Sequence, residues 1–179
     1  MTQQVLIVNG SPSSPSRTGA LCEHLAVELA GLGVSARHLV LRDLPAEPLV
    51  RGQAAAPGIK EAVSLVAESP ALALVTPIYK AAYSGLMKLF LDVLPQFALT
   101  DKVVLPLATA GSPAHVLALD YALRPVLASL GVRHAAAGFV VLERQLELSP
   151  TGARLDPATA EKLQPVLEAF VDSLRRHAS

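Results

Sequence analysis

Apolar runs alternate with helical stripes along the whole chain. Runs typical of buried strands lie at 4–9, 34–41, 71–76, 103–108 and 134–142. Helical spacing is found at 17–32, 58–68, 84–94, 114–130 and 158–176, the fourth despite Pro125. The stretch 44–57 is rich in Pro and Ala, and 143–156 is predicted to be irregular. Strands that are apolar throughout and alternate with helices predict an α/β fold. We therefore expect one domain over 1–179, a doubly wound five-stranded parallel sheet with helices on both faces.

Charge argues against two classes of partner. Fifteen basic residues balance fifteen acidic ones, so neither a nucleic acid nor an anionic membrane is expected as a partner. Charged residues interrupt every stretch long enough to span a bilayer.

Cys22 is the only cysteine, and the first residues resemble no secretion signal, so we expect a cytoplasmic protein.

Composition bears on assembly. Hydrophobic residues make up 51% of the chain and charged residues 17%, against roughly 25% charged in ordinary domains. This pairing favours a homo-oligomer in which another subunit covers part of the surface. An alanine-rich bias without assembly is the alternative.

The loop after the first strand, 10–18, is a candidate phosphate site. Ligands of open parallel sheets bind beyond the carboxyl ends of the strands. This loop offers hydroxyls, backbone N–H groups and a helix N-terminus, and Arg17 adds a positive charge. It matches neither a Walker loop nor a dinucleotide fingerprint. The alternative is a Ser/Pro loop that only caps a helix.

Two further strand ends suit a flat ring. The loop at 76–85 combines Pro77, Tyr79 and small residues, although Tyr79 and Tyr83 are equally typical of half-buried packing residues. The loop at 109–115 has small residues that let backbone approach a planar ligand. His115 is placed to approach a reactive group or, alternatively, to cap a helix.

The sequence shows no pattern typical of metal binding or of nucleophilic catalysis. The five histidines are too scattered for metal-ligand spacing, and no nucleophile elbow or catalytic triad is visible. A phosphate loop and a ring pocket without an acid–base pair indicate that a cofactor carries the chemistry.

Three segments, at 76–85, 102–109 and 120–126, together resemble the NADPH-dependent FMN reductases, a branch of the flavodoxin-like superfamily. The resemblance extends from Val5 to about Val140. It implies FMN and NADPH as cofactors, and it implies binding roles for two groups of residues. The first group would hold the phosphate: Ser11, Ser13, Ser16, Arg17 and Thr18. The second would line the isoalloxazine: Pro77, Ile78, Tyr79, Lys80, Thr109, Ala110, Gly111, Ser112 and His115. The chain departs from the family at Ser13, where related enzymes usually have an arginine.

Tyr121 lies where this subfamily has a tyrosine in a π-helical insertion. The resemblance implies a tetramer interface there and a role for Tyr121 in flavin release, without acid–base chemistry. Pro125, which lacks an N–H, favours a π-helical turn, while an ordinary kinked helix is the alternative.

The expected reaction is hydride transfer from NADPH to loosely bound FMN. The reduced FMN would pass to a partner flavin-dependent monooxygenase, which the resemblance suggests desulfonates alkanesulfonates. A reductase that retains FMN and acts on quinones, azo dyes or metal oxyanions is the main alternative. A flavodoxin-type electron carrier is a weaker alternative, because the chain has neither an acidic surface nor a tryptophan.

Overall fold

The structure is a computed structural model that describes residues 4–149 and 152–177. The strands are β1 (Gln4–Asn9), β2 (Ser35–Val40), β3 (Ala71–Tyr79), β4 (Ala82–Tyr83), β5 (Val103–Ala110), β6 (His134–Ala135), β7 (Phe139–Leu142), β8 (Leu146–Ser149) and β9 (Gly152–Leu155). The helices are α1 (Arg17–Gly31), α2 (Ala46–Val50), α3 (Ile59–Glu68), α4 (Gly85–Asp92), α5 (Arg124–Ser129) and α6 (Pro157–His177). Within the described ranges, no helix has the length and apolar character needed to cross a membrane.

The main sheet is parallel and has the order β2-β1-β3-β5, with β6 and β7 both paired to the far side of β5. This arrangement is the flavodoxin-like one, with the change of direction between β1 and β3. The predicted fold class is therefore confirmed. Hydrophobic cores lie on both faces of the sheet, and β1 contributes to each of them. Leu6 and Val8 face α3, α4 and α5, whereas Val5 and Ile7 face α1 and α6.

The predicted fifth strand, 134–142, is two short strands separated by residues 136–138. The break lies opposite Pro106 of β5, between the pairs Val104↔Ala135 and Leu107↔Phe139. Proline has no N–H to donate to a neighbouring strand. A Cβ on Gly138 would lie 3.1 Å from the Leu119 Cδ1 and 3.4 Å from the Pro106 carbonyl oxygen, so the chain passes close to both β5 and the π-helical turn here.

One segment predicted to be irregular contains regular structure. Residues 143–156 include the antiparallel hairpin β8–β9, and the Pro- and Ala-rich residues 44–57 include the short helix α2. The hairpin forms because Leu146 and Leu155, which face each other across it, are both buried against the core on the α1 side. The prediction was wrong because each strand is only four residues long, too short for alternation to be clear.

The predicted helix 114–130 is divided into three parts. A 3₁₀ turn at Pro113–His115 is followed by a π-helical turn at Leu119–Leu123 and then by α5. The π-helical turn predicted around Tyr121 is confirmed. Pro125 lies at the start of α5, where its missing N–H removes no intrahelical bond that a first turn would need.

Candidate active site

The three loops singled out in the sequence meet at one edge of the sheet. They follow β1, β3 and β5, which are adjacent and parallel, and Pro77 pairs with Thr109 in register. The carboxyl ends of these strands therefore present residues 10–18, 76–85 and 109–115 side by side, at the change of direction where this fold binds its ligands.

The first loop is held by its own short side chains. The Asn9 Oδ1 accepts from the Ser11 N–H at 3.0 Å, and the Ser11 Oγ accepts from the Ser13 N–H at 3.2 Å. Ser16 is the N-cap of α1, with its Oγ accepting from the Gly19 N–H at 3.0 Å. Ser11 is buried, and its hydroxyl already accepts a hydrogen bond from the Ser13 N–H. The predicted contact of Ser11 with a phosphate therefore has to form alongside that bond.

The donors at the start of α1 suit a phosphate. Among the described residues, no acceptor contacts the N–H groups of Arg17 and Thr18, which lie in the first turn and have no partner within the helix. The Ser16 hydroxyl accepts one bond and keeps its own proton for another acceptor. No acidic residue lies between Gly10 and Thr18. Together with the positive end of the helix dipole, this set fits a doubly charged phosphate.

Both arginines near the loop already have partners. The Arg17 Nη1 lies 3.5 Å from the Glu143 Oε2, and both side chains are about half exposed. The Arg42 Nη1 donates to the Ser13 carbonyl oxygen at 3.0 Å, and its Nε lies 3.5 Å from the Asp43 Oδ1. An arginine from the 3₁₀ turn after β2, Leu41–Asp43, thus lies beside Ser13, where the family's usual arginine is missing.

The second loop is a tight hairpin. β3 continues past Pro77 to Tyr79 and turns back into β4 through Lys80 and Ala81, whose φ angles are +51° and +62°. Such turns prefer Asn and Gly, so two side-chain-bearing residues there indicate local strain. Pro77 and Ile78 are buried, Tyr79 and Lys80 are exposed, and Tyr83 is half-buried against the core. Only Tyr79 and Lys80 of the four predicted residues reach the surface with their side chains.

A buried serine joins the first two loops. The Ser84 Oγ donates to the Gly10 carbonyl oxygen at 2.6 Å and accepts from the Met87 N–H at 3.1 Å, and the Ser84 N–H donates to the Thr76 Oγ1 at 2.9 Å. Gly10 is pressed against α4. A Cβ at this position would lie 2.8 Å from the Met87 Cε and 3.3 Å from the Val75 carbonyl oxygen. The close approach therefore requires glycine.

The third loop is tied to the first by a pair of buried hydroxyls. The Thr18 and Thr109 Oγ1 atoms lie 2.7 Å apart. Beyond Thr109, Ala110 is buried, Gly111 is exposed, and the Ser112 Oγ accepts from the Ala114 N–H at 3.2 Å. His115 is half-buried in the turn that follows. The Thr18 hydroxyl is therefore engaged with β5, which leaves its N–H as the group directed to a ligand.

An apolar surface borders the site. The π-helical turn packs against β4, and Tyr121 is 79% exposed. Val116 and Leu117, in the preceding turn, are about half exposed. This surface is where the predicted subunit contact would lie.

The described residues provide neither a metal-binding cluster nor a reactive thiol. No set of three His, Cys, Asp or Glu residues there could hold a metal ion. Cys22 is buried in α1, and burial raises the pKa of its thiol far above the ordinary value. A thiolate reaction at Cys22 is thus disfavoured.

Sequence reasoning missed four residues that shape the site: Asn9, Arg42, Ser84 and Glu143. Glu143 directly follows β7, and Arg42 lies in the 3₁₀ turn Leu41–Asp43 that follows β2, so a position just after a strand was the signal that the sequence offered. Asn9 is the last residue of β1. Ser84 is only the first residue of the predicted helix 84–94, and its bond to Gly10 joins positions 74 residues apart.

Comparisons with known proteins cover almost the whole chain. A family model described as NADPH-dependent FMN reductase matches residues 3–147. FMN reductase (NADPH) of Pseudomonas putida is 40% identical over 174 residues, 96% of this chain and 88% of that protein. FMN reductase (NADPH) of Escherichia coli is 38% identical over 173 residues, 97% and 91% respectively. The apo crystal structure of the NADH:FMN oxidoreductase EMOB has a TM-score of 0.87 at 43% identity, covering 96% and 90% of the two chains.

Replacing Ser84 tests whether the first two loops are locked together. Ser84→Ala leaves the buried Gly10 carbonyl without its donor and removes the cap of α4, which we expect to lower the free energy of unfolding by about 1–3 kcal/mol in urea titrations. Ser129→Ala is the matched control, because Ser129 makes a similar bond to a backbone carbonyl at an exposed position. An equal effect of both substitutions would contradict the assigned role of Ser84.

Proposed function

Because this chain belongs to the NADPH-dependent FMN reductase family, we propose that it binds FMN only loosely and releases it, once reduced, to a partner flavin-dependent monooxygenase. The chain is an NAD(P)H:FMN oxidoreductase. The proposal for loose binding rests on one observation. The cradle offers neutral donors, and Arg17, its only cation, is already paired with Glu143.

Each loop has a defined task in this proposal. The Ser16 hydroxyl and the N–H groups of Arg17 and Thr18 hold the phosphate, while Tyr79 and the loop from Thr109 line the ring. When bound, FMN supplies the hydride-accepting ring and NADPH the hydride. The protein keeps the two rings in contact and excludes water, which requires position and not acid–base groups.

The free energies of the individual contacts favour exchange of the flavin. A charge-assisted hydrogen bond contributes about 1.5–3 kcal/mol, and an exposed ion pair about 0–1 kcal/mol. Arg17 is half exposed and must leave Glu143, at least in part, to reach a phosphate. The net contribution of Arg17 is therefore reduced by the cost of that separation.

The finer proposals rest on the surroundings of the site and on the resemblance. The exposed apolar surface at Val116, Leu117 and Tyr121 supports a homo-oligomer, which we propose to be a tetramer. The resemblance of the three segments supports alkanesulfonate desulfonation as the partner's reaction and NADPH as the preferred reductant. The single cysteine, Cys22, supports a cytoplasmic location.

Flavin status tests the proposed function directly. We expect the purified protein to be colourless or weakly yellow, and NADPH oxidation to saturate as free FMN is added. Gel filtration followed by absorbance at the flavin bands measures the retained fraction. Stoichiometric FMN that does not dissociate would contradict the proposal and favour a reductase of quinones, azo dyes or metal oxyanions.

Arg17 and Glu143 should act on FMN in opposite directions. Arg17→Ala removes a charge-assisted contact at a half-exposed position, so we expect KM for FMN to rise about tenfold. Glu143→Gln frees the guanidinium from an exposed pair, so we expect KM to fall about two- to fivefold.

Steady-state kinetics with FMN and riboflavin separate this effect from a change in the fold. Riboflavin lacks the phosphate, so its KM should change little in either variant. Glu147→Gln is the matched control, an exposed glutamate in the nearby hairpin. Equal changes with both flavins would show that Arg17 acts through the fold and not through the phosphate.

Tyr121→Ala tests the link between assembly and flavin release. The side chain is 79% exposed in the isolated chain, so the fold should survive its removal. We expect the variant to dissociate in light-scattering measurements, to retain FMN more firmly and to lose turnover with free FMN. Phe97→Ala removes an exposed aromatic ring elsewhere and should change none of these. Unchanged assembly and kinetics in Tyr121→Ala would reduce Tyr121 to a surface residue.

A further inference from the structure

The turn between β3 and β4 carries a lysine at the border of the ring site. Tyr79 pairs with Ala82, so Lys80 and Ala81 are the two residues of the turn. Their φ angles, +51° and +62°, are ones that Asn and Gly adopt more readily. Lys80 directly follows Tyr79, which borders the ring in the proposed function, and its side chain is exposed. A positive charge therefore lies beside the place assigned to the ring.

Buried groups under the turn fix the position of Lys80. The Thr76 Oγ1 accepts from the Ser84 N–H at 2.9 Å and donates to the Pro77 carbonyl oxygen at 3.1 Å. The Ser84 hydroxyl is bonded in turn to the Gly10 carbonyl. Strained backbone persists only where its surroundings hold it firmly, and it is concentrated at sites that bind ligands. The turn thus presents Lys80 from a rigid support.

Lys80 differs from most cations around the site in having no anionic partner. Four cations on neighbouring elements each lie 3.5 Å or less from a carboxylate: Arg17 from Glu143, Arg42 from Asp43, Lys88 from Asp92 and Arg124 from Asp120. Within residues 4–149 and 152–177, Lys80 has neither an ion pair nor a side-chain hydrogen bond. The three donors of its ammonium group are therefore available to an anion.

We propose that Lys80 binds a phosphate group of the nicotinamide nucleotide. The inference rests on the proposed function, in which Tyr79 lines the ring. Hydride transfer requires the two rings to be in contact, so the sugar and phosphates of the nucleotide have to leave over one of the bordering loops. The loop at 10–18 is assigned to the flavin phosphate, and residues 109–114 include no charged residue. Lys80 is the cation that the third loop offers, and an ammonium group binds phosphate as a point charge.

The nucleotide carries two kinds of phosphate, and the test has to separate them. NADPH and NADH share the pyrophosphate, whereas only NADPH has a phosphate on the adenosine 2′-oxygen. Reduced nicotinamide riboside has the same reactive ring and neither phosphate. With riboflavin as the acceptor, the flavin contributes no phosphate to the assay either. Comparison of these three hydride donors therefore identifies the group that Lys80 contacts.

Lys80→Asn removes the charge and introduces a residue that suits a positive φ, so the turn should be kept. We expect the ratio of kcat/KM for NADPH to kcat/KM for reduced nicotinamide riboside to fall about fivefold or more. An equal fall for NADH assigns the contact to the pyrophosphate, and an unchanged ratio for NADH assigns it to the 2′-phosphate. Lys80→Arg keeps the charge and should restore most of the loss.

Binding without turnover provides a second readout. Protein saturated with FMN is titrated with NADP⁺, which has no hydride to transfer, in a calorimeter. The dissociation constant should rise about fivefold or more in Lys80→Asn. Salt screens a charge contact and has little effect on a change in packing. Added KCl should therefore weaken NADP⁺ binding more in the parent than in Lys80→Asn.

Arg144→Asn is the matched control. Arg144 is exposed, has no partner within the described ranges, and follows β7, on the far side of β5 from β3. Its loss should leave the donor ratios and NADP⁺ binding as in the parent. Equal effects of both Asn variants would reveal only the general field of this edge and would overturn the proposal.

Two results in Lys80→Asn itself would also overturn the proposal. Unchanged donor ratios together with unchanged NADP⁺ binding would show that Lys80 contacts no phosphate. Equal losses with all three donors would assign Lys80 to the flavin ring. FMN that stays bound to the purified parent would contradict the release proposed above, while the donor ratios would still decide the role of Lys80.

Discussion

The Ser84 hydroxyl makes two hydrogen bonds in a place where water does not reach, one to the Gly10 carbonyl and one from the Met87 N–H. A buried carbonyl without a donor is costly, so the loop after β1 and the start of α4 are constrained to move together. Gly10 allows this close contact between the loop and α4, because it has no Cβ that would collide with Met87 and Val75. The contact between the Thr18 and Thr109 hydroxyls links the start of α1 to β5 in the same way. The positions of all three loops at the edge of the sheet depend on these few buried polar contacts.

A rigid frame and a weakly held ligand are compatible because different groups are responsible for each. The frame is buried and hydrogen-bonded, whereas the groups proposed to contact a ligand are backbone N–H groups, one hydroxyl and the half-exposed Arg17, which has an acidic partner. Screening by water and competition from Glu143 keep the electrostatic contribution of Arg17 small. A site of this kind is preorganised in shape, which is compatible with the proposed release of the flavin after each turnover.

The parallel sheet with helices on both faces and the meeting of three loops could be predicted, because they follow from the apolar runs and from a general property of parallel sheets. The π-helical turn could be predicted from Pro125 together with the resemblance at 120–126. The split of the last strand could not, because it depends on Pro106 lying opposite residues that are about thirty positions away. Arg42 and Glu143 were missed for a similar reason. Their residue types are common on surfaces, and only the pairing of β2 with β1 and of β7 with β5 brings them to the phosphate loop.

A crystal structure of the protein with FMN tests the central claim most directly. The account predicts density for the phosphate within hydrogen-bonding distance of the Ser16 Oγ and the N–H groups of Arg17 and Thr18, with the ring against Tyr79 and the loop from Thr109. It also predicts that the Ser84–Gly10 bond is unchanged from the structure described above. A phosphate bound away from the loop at 10–18, or a loop that has to separate from Ser84 to admit it, would contradict the account.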